Sequence, residues 1–316
     1  MARVVFVGVA TADAIAVVDH HPTPDERIIA DDLVHSGGGP AATAAVTAAR
    51  LGLPVELVCT VGDDAQGRGI ASDLAAEGVG LRHLRVDPDL RTPASVVLSS
   101  RRETARAICT LPVPPLQLQP EARAAVLKAD WVHVDHLGWP AVAELLADVP
   151  PAKRPRLSVD DGNPTPSLCR PADVQLYVPT VARLTDRFPD TTGSVPESGA
   201  PAGTSPVTAH EAALLAAPGA ERVVATDGAR GSIGRDSDGS LHRADAVPVD
   251  VVSTLGAGDV FHGALLTAVV RGLPLPRAMA FAGEAAARSC RAVDGRSAIP
   301  SRHELTAPCG EVKESE

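Results

Sequence analysis

The chemistry of this chain is concentrated between Val249 and Gly263, where Thr254-Leu255-Gly256-Ala257-Gly258-Asp259 joins two apolar runs. Val249 to Val252 reads as a buried strand, and Val260 to Val270 as an apolar helix that begins straight after a carboxylate. Such a turn suits an anion. Gly256 and Gly258 let successive backbone N–H groups point into one concavity, and the positive end of the following helix adds to their field. A carboxylate beside an anion site repels the anion, so Asp259 makes most sense as a base, taking the proton of a hydroxyl that attacks a phosphoryl group held by the turn. Metal-bound nucleotide would screen the repulsion. The competing reading is an Asp that only caps a helix packed on a sheet.

Strands and helices must alternate to present such a turn. Residues 4 to 9 read as a buried first strand, followed by a loop bearing Asp13 and an alternating, polar region from Ile15 to Val34 that suits a small accessory sheet. Pro40 opens an Ala-rich helix that Gly52 closes. Val55 to Val61 is a strand and Gln66 to Gly78 a helix, as in a parallel sheet. Ser95 to Ser99 and Ala105 to Thr110 pair as a hairpin across a polar tip. Glu121 to Lys128 and Ala141 to Ala147 read as helices; Trp131 to Val134, Arg156 to Val159, Val174 to Val178 and Arg222 to Ala225 read as strands. Residues 188 to 206, rich in Pro, Gly, Ser and Thr, suit a surface loop, and the tail from Pro308 to Glu316 is expected to fray.

The 316 residues suffice for one large α/β domain with a small appendage. A formal charge of -10 argues against nucleic acid or an anionic membrane as partner. Aromatic residues make up only 2% of the chain, which leaves few platforms for stacking bases. The apolar run ending at Gly8 shows no signal-peptide pattern, and no spanning segment follows, so a soluble cytoplasmic protein is expected. Cys59, Cys109, Cys169, Cys290 and Cys309 are scattered without a C-x-x-C pair, which points to neither a disulfide framework nor a zinc site. No metal-ligating set is assigned.

Several segments together resemble the ribokinase-like, or PfkB, carbohydrate kinases across nearly the whole chain. They are Gly37-Gly38-Gly39-Pro40-Ala41-Ala42-Thr43 running on to Leu51-Gly52, then Val61-Gly62-Asp63-Asp64; Thr226-Asp227-Gly228-Ala229-Arg230-Gly231; Thr254 to Asp259 with Phe261 and Gly263; and Gly295-Arg296-Ser297-Ala298-Ile299-Pro300. Each is weak alone, but their order and spacing together are hard to reach by chance. The resemblance implies a single doubly wound α/β kinase domain over residues 1–316, with a small β-sheet lid from about 14–35 and 93–112. ATP with Mg2+ would lie along the C-terminal motifs, contacted by Thr226, Gly228, Gly231 and Thr254. The sugar would sit between core and lid, near Asp13, Gly38, Gly39 and Thr43. Asp259 would be the base, and the N–H groups of Gly256, Ala257 and Gly258 would hold the γ-phosphate. The lid resemblance also implies a homodimer.

Departures from the family pattern qualify this transfer. Ser253 stands where the family has Asp, which weighs against potassium activation; Thr180 and Arg183 stand where it often carries Asn-x-x-Glu; Thr43 replaces a common Asn. Gly-Gly-Gly-Pro-Ala-Ala-Thr and the later Gly-Asp-Val-Phe-His-Gly-Ala-Leu are closest in wording to the sulfofructose kinase subgroup, so Arg27, in the lid turn, is a candidate for an anionic group on the sugar. His133, Asp135 and His136 are expected to face the sugar pocket, and His262 to tune Asp259 or to be structural. Asp63 and Asp64 read as an exposed turn. Two alternatives stay open: a nucleoside kinase of the same superfamily, which needs an apolar or aromatic clamp for the base, and a sugar- or nucleotide-binding protein with weakened chemistry. A Rossmann dehydrogenase is disfavoured because Phe261 stands where the dinucleotide motif needs its third Gly.

Overall fold

The computed structural model describes residues 2–103, 105–165, 171–189 and 207–306. Its centre is β1 (Val4–Val7), whose period-2 alternation serves two cores at once: Val4 and Phe6 face one, Val5 and Val7 the other. Beside it lie β4 (Val55–Gly62) and β5 (Gly80–Asp87) on one flank. On the other lie β8 (Trp131–Val134), β9 (Arg156–Asp161), β10 (Leu176–Pro179) and β11 (Arg222–Thr226), all parallel. The antiparallel strands β12 (Ser232–Arg235) and β13 (Leu241–Ala244) complete a nine-stranded sheet. Chain order reverses at β1, so a crevice opens beyond the carboxyl ends of the central strands, where doubly wound sheets bind ligands.

Helices cover both faces. One face carries α1 (Pro40–Arg50), α2 (Ala65–Ala76), α7 (Ala257–Val270) and α8 (Leu275–Ser289). The other carries α3 (Pro120–Lys128), α4 (Trp139–Ala147), α5 (Val181–Arg187) and α6 (Ala209–Ala216). The Ala-rich sequence of α1 has a packing reason: its small side chains let α7 come so close that a Cβ on Gly263 would overlap the carbonyl of Ala44. A separate four-stranded sheet, in the order β3-β2-β6-β7, is built from β2 (Thr11–Val18), β3 (Asp32–Gly38), β6 (Ala94–Ser100) and β7 (Ala105–Thr110). Its β6–β7 pair is the hairpin expected from the sequence.

The structure differs from the sequence reading in three places. Val249 to Val252 forms no strand: the N–H groups of Val252 and Ser253 both donate to Cys290 O at the end of α8, and Val251 and Val252 are 50% and 52% exposed. Asp13 lies inside β2 rather than in a loop, because β2 pairs with both β3 and β6 from Thr11 or Ala12 onward. The edge strands β5 and β13, the strand β12 and the helices α6 and α8 add to the expected elements. Cys59 and Cys290 are buried and Cys109 is exposed, all three unbonded, while Cys169, Cys309, residues 190–206 of the expected loop and the expected frayed tail lie outside the described residues. Among the described residues no helix is long and apolar enough to cross a membrane.

The α1–α7 contact yields a stability prediction. Gly263→Ala gains about 1 kcal/mol of helix propensity, but the overlap with backbone forces an overpacking cost of about 1–3 kcal/mol, so the variant should be less stable than the parent. Chemical denaturation followed by circular dichroism checks the sign; a raised midpoint would contradict the packing argument.

Candidate active site

The anion turn is shaped by its first glycine. Gly256 has φ 72°, a left-handed conformation, and a Cβ there would meet the Cα of Gly295 at 2.9 Å. Gly258 differs: a Cβ there would meet no atom within 4 Å, so nothing in the protein demands glycine and the space in front of the helix start is left open. Ala257 N–H donates to Thr254 O at 3.3 Å and closes the turn in this conformation. Ser253 Oγ accepts from Leu255 N–H at 3.2 Å, so the serine keeps the turn's shape without supplying a charge.

Asp259 follows in the first turn of α7 and faces a cleft of about 550 Å³ that also receives Asp13, Thr43, Thr226 and Thr254. Burial pushes the Asp259 carboxyl up to about 7, the Asp160 charge reinforces the shift, and His262 and Arg106 draw it down. Across the cleft, Asp13 Oδ1 is buried and has no hydrogen-bond partner among the described residues. Burial raises Asp13 too, against hydrogen bonds from Thr11 and Ser95. A Cβ on Gly38 would collide with the Asp13 carboxylate, and one on Gly39, at φ 91°, with Val9 O. The glycine run is therefore the space in which Asp13 and the backbone approach each other.

Two arginines that the sequence did not single out complete the site. Arg296 is 6% exposed; its Nη2 donates to Gly38 O at 2.7 Å and its Nε to Thr43 Oγ1 at 3.2 Å. Burial pushes it down to about 10, while Asp13 and Asp259 favour its charge, so it is protonated at neutral pH. Arg106 reaches from β7 into the cleft, where its Nη1 donates to Thr254 Oγ1 at 2.8 Å. Arg27, by contrast, is exposed in the turn after β2 and does not line the cleft, so the anion contact expected of it is not made from this position.

The expectation for the β8 end is also corrected. His133 is fully buried, bonded through Nδ1 to Ser158 Oγ at 3.0 Å, and burial drives it down to about 3. Asp135 is a backbone anchor: its Oδ2 accepts from Val9 and Ala41 at 2.9 and 3.2 Å, its Oδ1 from Leu137 and Gly138 at 2.9 and 2.7 Å. His136 does line the cleft. Asp63 is exposed and pairs with Arg68 at 3.0 Å, as the exposed-turn reading expects, but Asp64 is half-buried: it caps α2, accepting from Gly67 N–H at 2.7 Å, and accepts from Thr92 N–H and Oγ1 at 3.0 and 2.6 Å.

At the nucleotide-side motif, Thr226 ends β11 and lines the cleft, while Gly228 and Gly231, at φ 54° and 86°, shape the turn behind it. A Cβ on Gly231 would overlap Ala244 O in β13. Thr180 caps α5, and Arg183 lies 3.6 Å from Asp161. Ligand atoms of Asp160, Asp259 and His262 lie within 4.8 Å of one another, a spacing a metal could bridge, but His262 Nδ1 already stands 2.9 Å from Asp160 Oδ2. The cluster is an ion-pair network as it stands.

A carboxylate behind a left-handed glycine turn, in a crevice closed by a small sheet, finds its counterpart among known proteins: residues 1–302 match the model of the pfkB family carbohydrate kinases. The chain belongs to that family. It is 25% identical over 313 residues to a ribokinase of Bacillus subtilis, covering 96% of this chain and 98% of that protein. It is 29% identical over 302 residues to a fructokinase of Klebsiella pneumoniae, covering 92% and 95%. An Arabidopsis thaliana ribokinase solved with ribose and ATP superposes with a TM-score of 0.77 at 23% identity, over 96% of each chain. The ribokinase-like α/β fold is thus shared along the whole length.

If Asp259 is the base of this pfkB kinase, its carboxylate is the working form, so kcat/KM for the sugar should rise with pH through about 7 and level off above. Asp259→Asn should lose about a hundred- to ten-thousand-fold in kcat. Steady-state kinetics across pH checks both; an Asn variant of near-parental rate would exclude Asp259 as base.

Proposed function

We propose that this chain is an ATP-dependent sugar kinase in which Asp259 deprotonates an acceptor hydroxyl and the Gly256–Gly258 turn receives the γ-phosphate. As a pfkB-family carbohydrate kinase it is a phosphotransferase with an alcohol acceptor. The observation that carries the residue roles is the pairing of Asp259 with the unpartnered Asp13 Oδ1 across one cleft. A sugar bound between them donates one hydroxyl to Asp13 and presents another to Asp259. That hydroxyl loses its proton to Asp259 as its oxygen attacks phosphorus, and N–H groups at the start of α7 take up charge developing on the phosphoryl oxygens.

Thr226, Gly228, Gly231 and Thr254 are read as the nucleotide side, and Gly38, Gly39 and Thr43 as the sugar side. Magnesium is expected to enter on the nucleotide phosphates and keep its waters, because Arg183 is turned to Asp161; it supplies charge neutralisation during transfer. Potassium activation is not expected with Ser253. Among the described residues, those lining the cleft include no Phe, Tyr or Trp, which favours a sugar over a nucleoside. The four-stranded sheet is read as the lid of a single kinase domain spanning the chain, working in the cytoplasm. Leu33 and Val96, 70% and 53% exposed on its outer face, support lid-to-lid dimerisation.

ATP consumption with magnesium against a panel of ketoses, aldoses, sugar phosphates, sulfofructose and nucleosides tests the function. Turnover on a sugar that disappears in Asp259→Asn is expected; ATP binding with no turnover on any acceptor would favour a binding protein with weakened chemistry. Light scattering at micromolar concentration should show a dimer, and a monomer would remove the lid-pairing reading.

A further inference from the structure

His262 lies one helical turn beyond Asp259 on α7, is 4% exposed, and has no role in the reaction as described so far. Its Nδ1 stands 2.9 Å from Asp160 Oδ2, close but off the N–H line, as in an ion pair rather than an aligned hydrogen bond. Burial works against a charge on the ring, but Asp160 and then Asp259 outweigh it and hold the ring above the ordinary histidine range. Set 2.9 Å from a buried carboxylate, the ring is favoured as the imidazolium. A neutral ring would leave Asp160, itself 4% exposed, as an uncompensated buried charge. His133, whose ring centroid is 6.0 Å away, is neutral and bonded to Ser158, so it does not compete for that role.

We propose that His262 is a positioning residue: its ring, set against Asp160 and within 4.8 Å of Asp259, is the fixed positive charge that lets Asp259 stand ionised beside a second carboxylate. This rests on the reading of Asp259 as the base. The charged groups that face Asp259 are Asp160 from β9, Asp135 beyond β8, Arg106 from β7, Arg296 after α8, and His262 on its own helix. Those facing His262 are Asp160 and Asp259, with neutral His133 behind. Asp135 and Asp160 both oppose a charge on Asp259, and neither arginine is hydrogen-bonded to them. His262 is the cation placed against Asp160, and burial of the ring alone would discharge it without that carboxylate.

The test combines two readouts on the full chain. Histidine ring NMR should show His262 protonated through neutral pH in the parent and losing its proton at clearly lower pH in Asp160→Asn, where burial of the ring is no longer opposed by that carboxylate. In His262→Gln, the Asp259 carboxyl followed by 13C NMR, and the acidic limb of kcat/KM for the sugar, should both move up by about one pH unit or more, with sugar KM little changed. His262→Gln with Asp160→Asn removes both charges and should bring the limb back towards the parent, which also covers the case in which the single Gln variant does not fold. A His262 ring neutral at pH 7, or a folded His262→Gln protein whose Asp259 titration does not move, would overturn the proposal. If no sugar is turned over, the base reading fails on kinetics while the carboxyl titration still decides the coupling.

Discussion

The site depends on one fully buried carboxylate that does not line the cleft. Asp135 accepts four backbone N–H groups, from the end of β1, the start of α1, and the turn that leads into α4. Each of those segments would otherwise leave donors unsatisfied where the central strands end, at a cost of about 1–3 kcal/mol per group. One side chain thus ties together the floor of the crevice on both sides of the topological switch. Gly8 belongs to the same arrangement, since a Cβ there would overlap the Asp135 carboxylate.

With that floor in place, the remaining problem is electrostatic. Asp13, Asp160 and Asp259 crowd one cleft, and phosphoryl transfer brings more negative charge to it. Cationic groups stand near it from three different places: Arg296 behind the glycine run, Arg106 from the small sheet, and, on the proposal above, His262 within the same helix as Asp259. Each sits against a different part of the anionic surface. Losing one would leave a local imbalance that the others are too far or too occupied to correct.

Much of this was legible in the sequence. Apolar runs marked the central strands, because buried parallel strands read as continuous aliphatic stretches, and the Gly turns marked the glycine run and the start of α7 beside the cleft. Apolar character misled at Val251 and Val252, which are exposed and tethered to α8 rather than paired. The edge strand β5 was missed because it carries Arg82, His83 and Arg85 and lies half buried, without the alternation a one-sided strand shows. The helix α8 did carry a signal, with Leu275, Ala278, Met279, Ala282 and Ala285 at helical spacing. Arg296 and Arg106 were invisible as site residues because their partners lie 253 and 148 positions away, beyond any local window. His133 and Asp135 were placed on the correct strand end but given the wrong neighbours, since strand position alone does not show which groups the core consumes.

The two sides of the cleft also differ in how freely they can change. Nine of the residues of α7 are buried around the base, so altering that helix disturbs the core as well as the chemistry. Every residue of β7 whose burial is described is exposed, and it is this edge strand that carries Arg106 to the cleft. Substitutions there usually change stability by about 0.5 kcal/mol or less. New side chains can therefore be brought to the cleft from β7 at little structural risk, whereas a change on α7 must be absorbed by the core, so under the proposed function substrate range is the property of this fold most open to change.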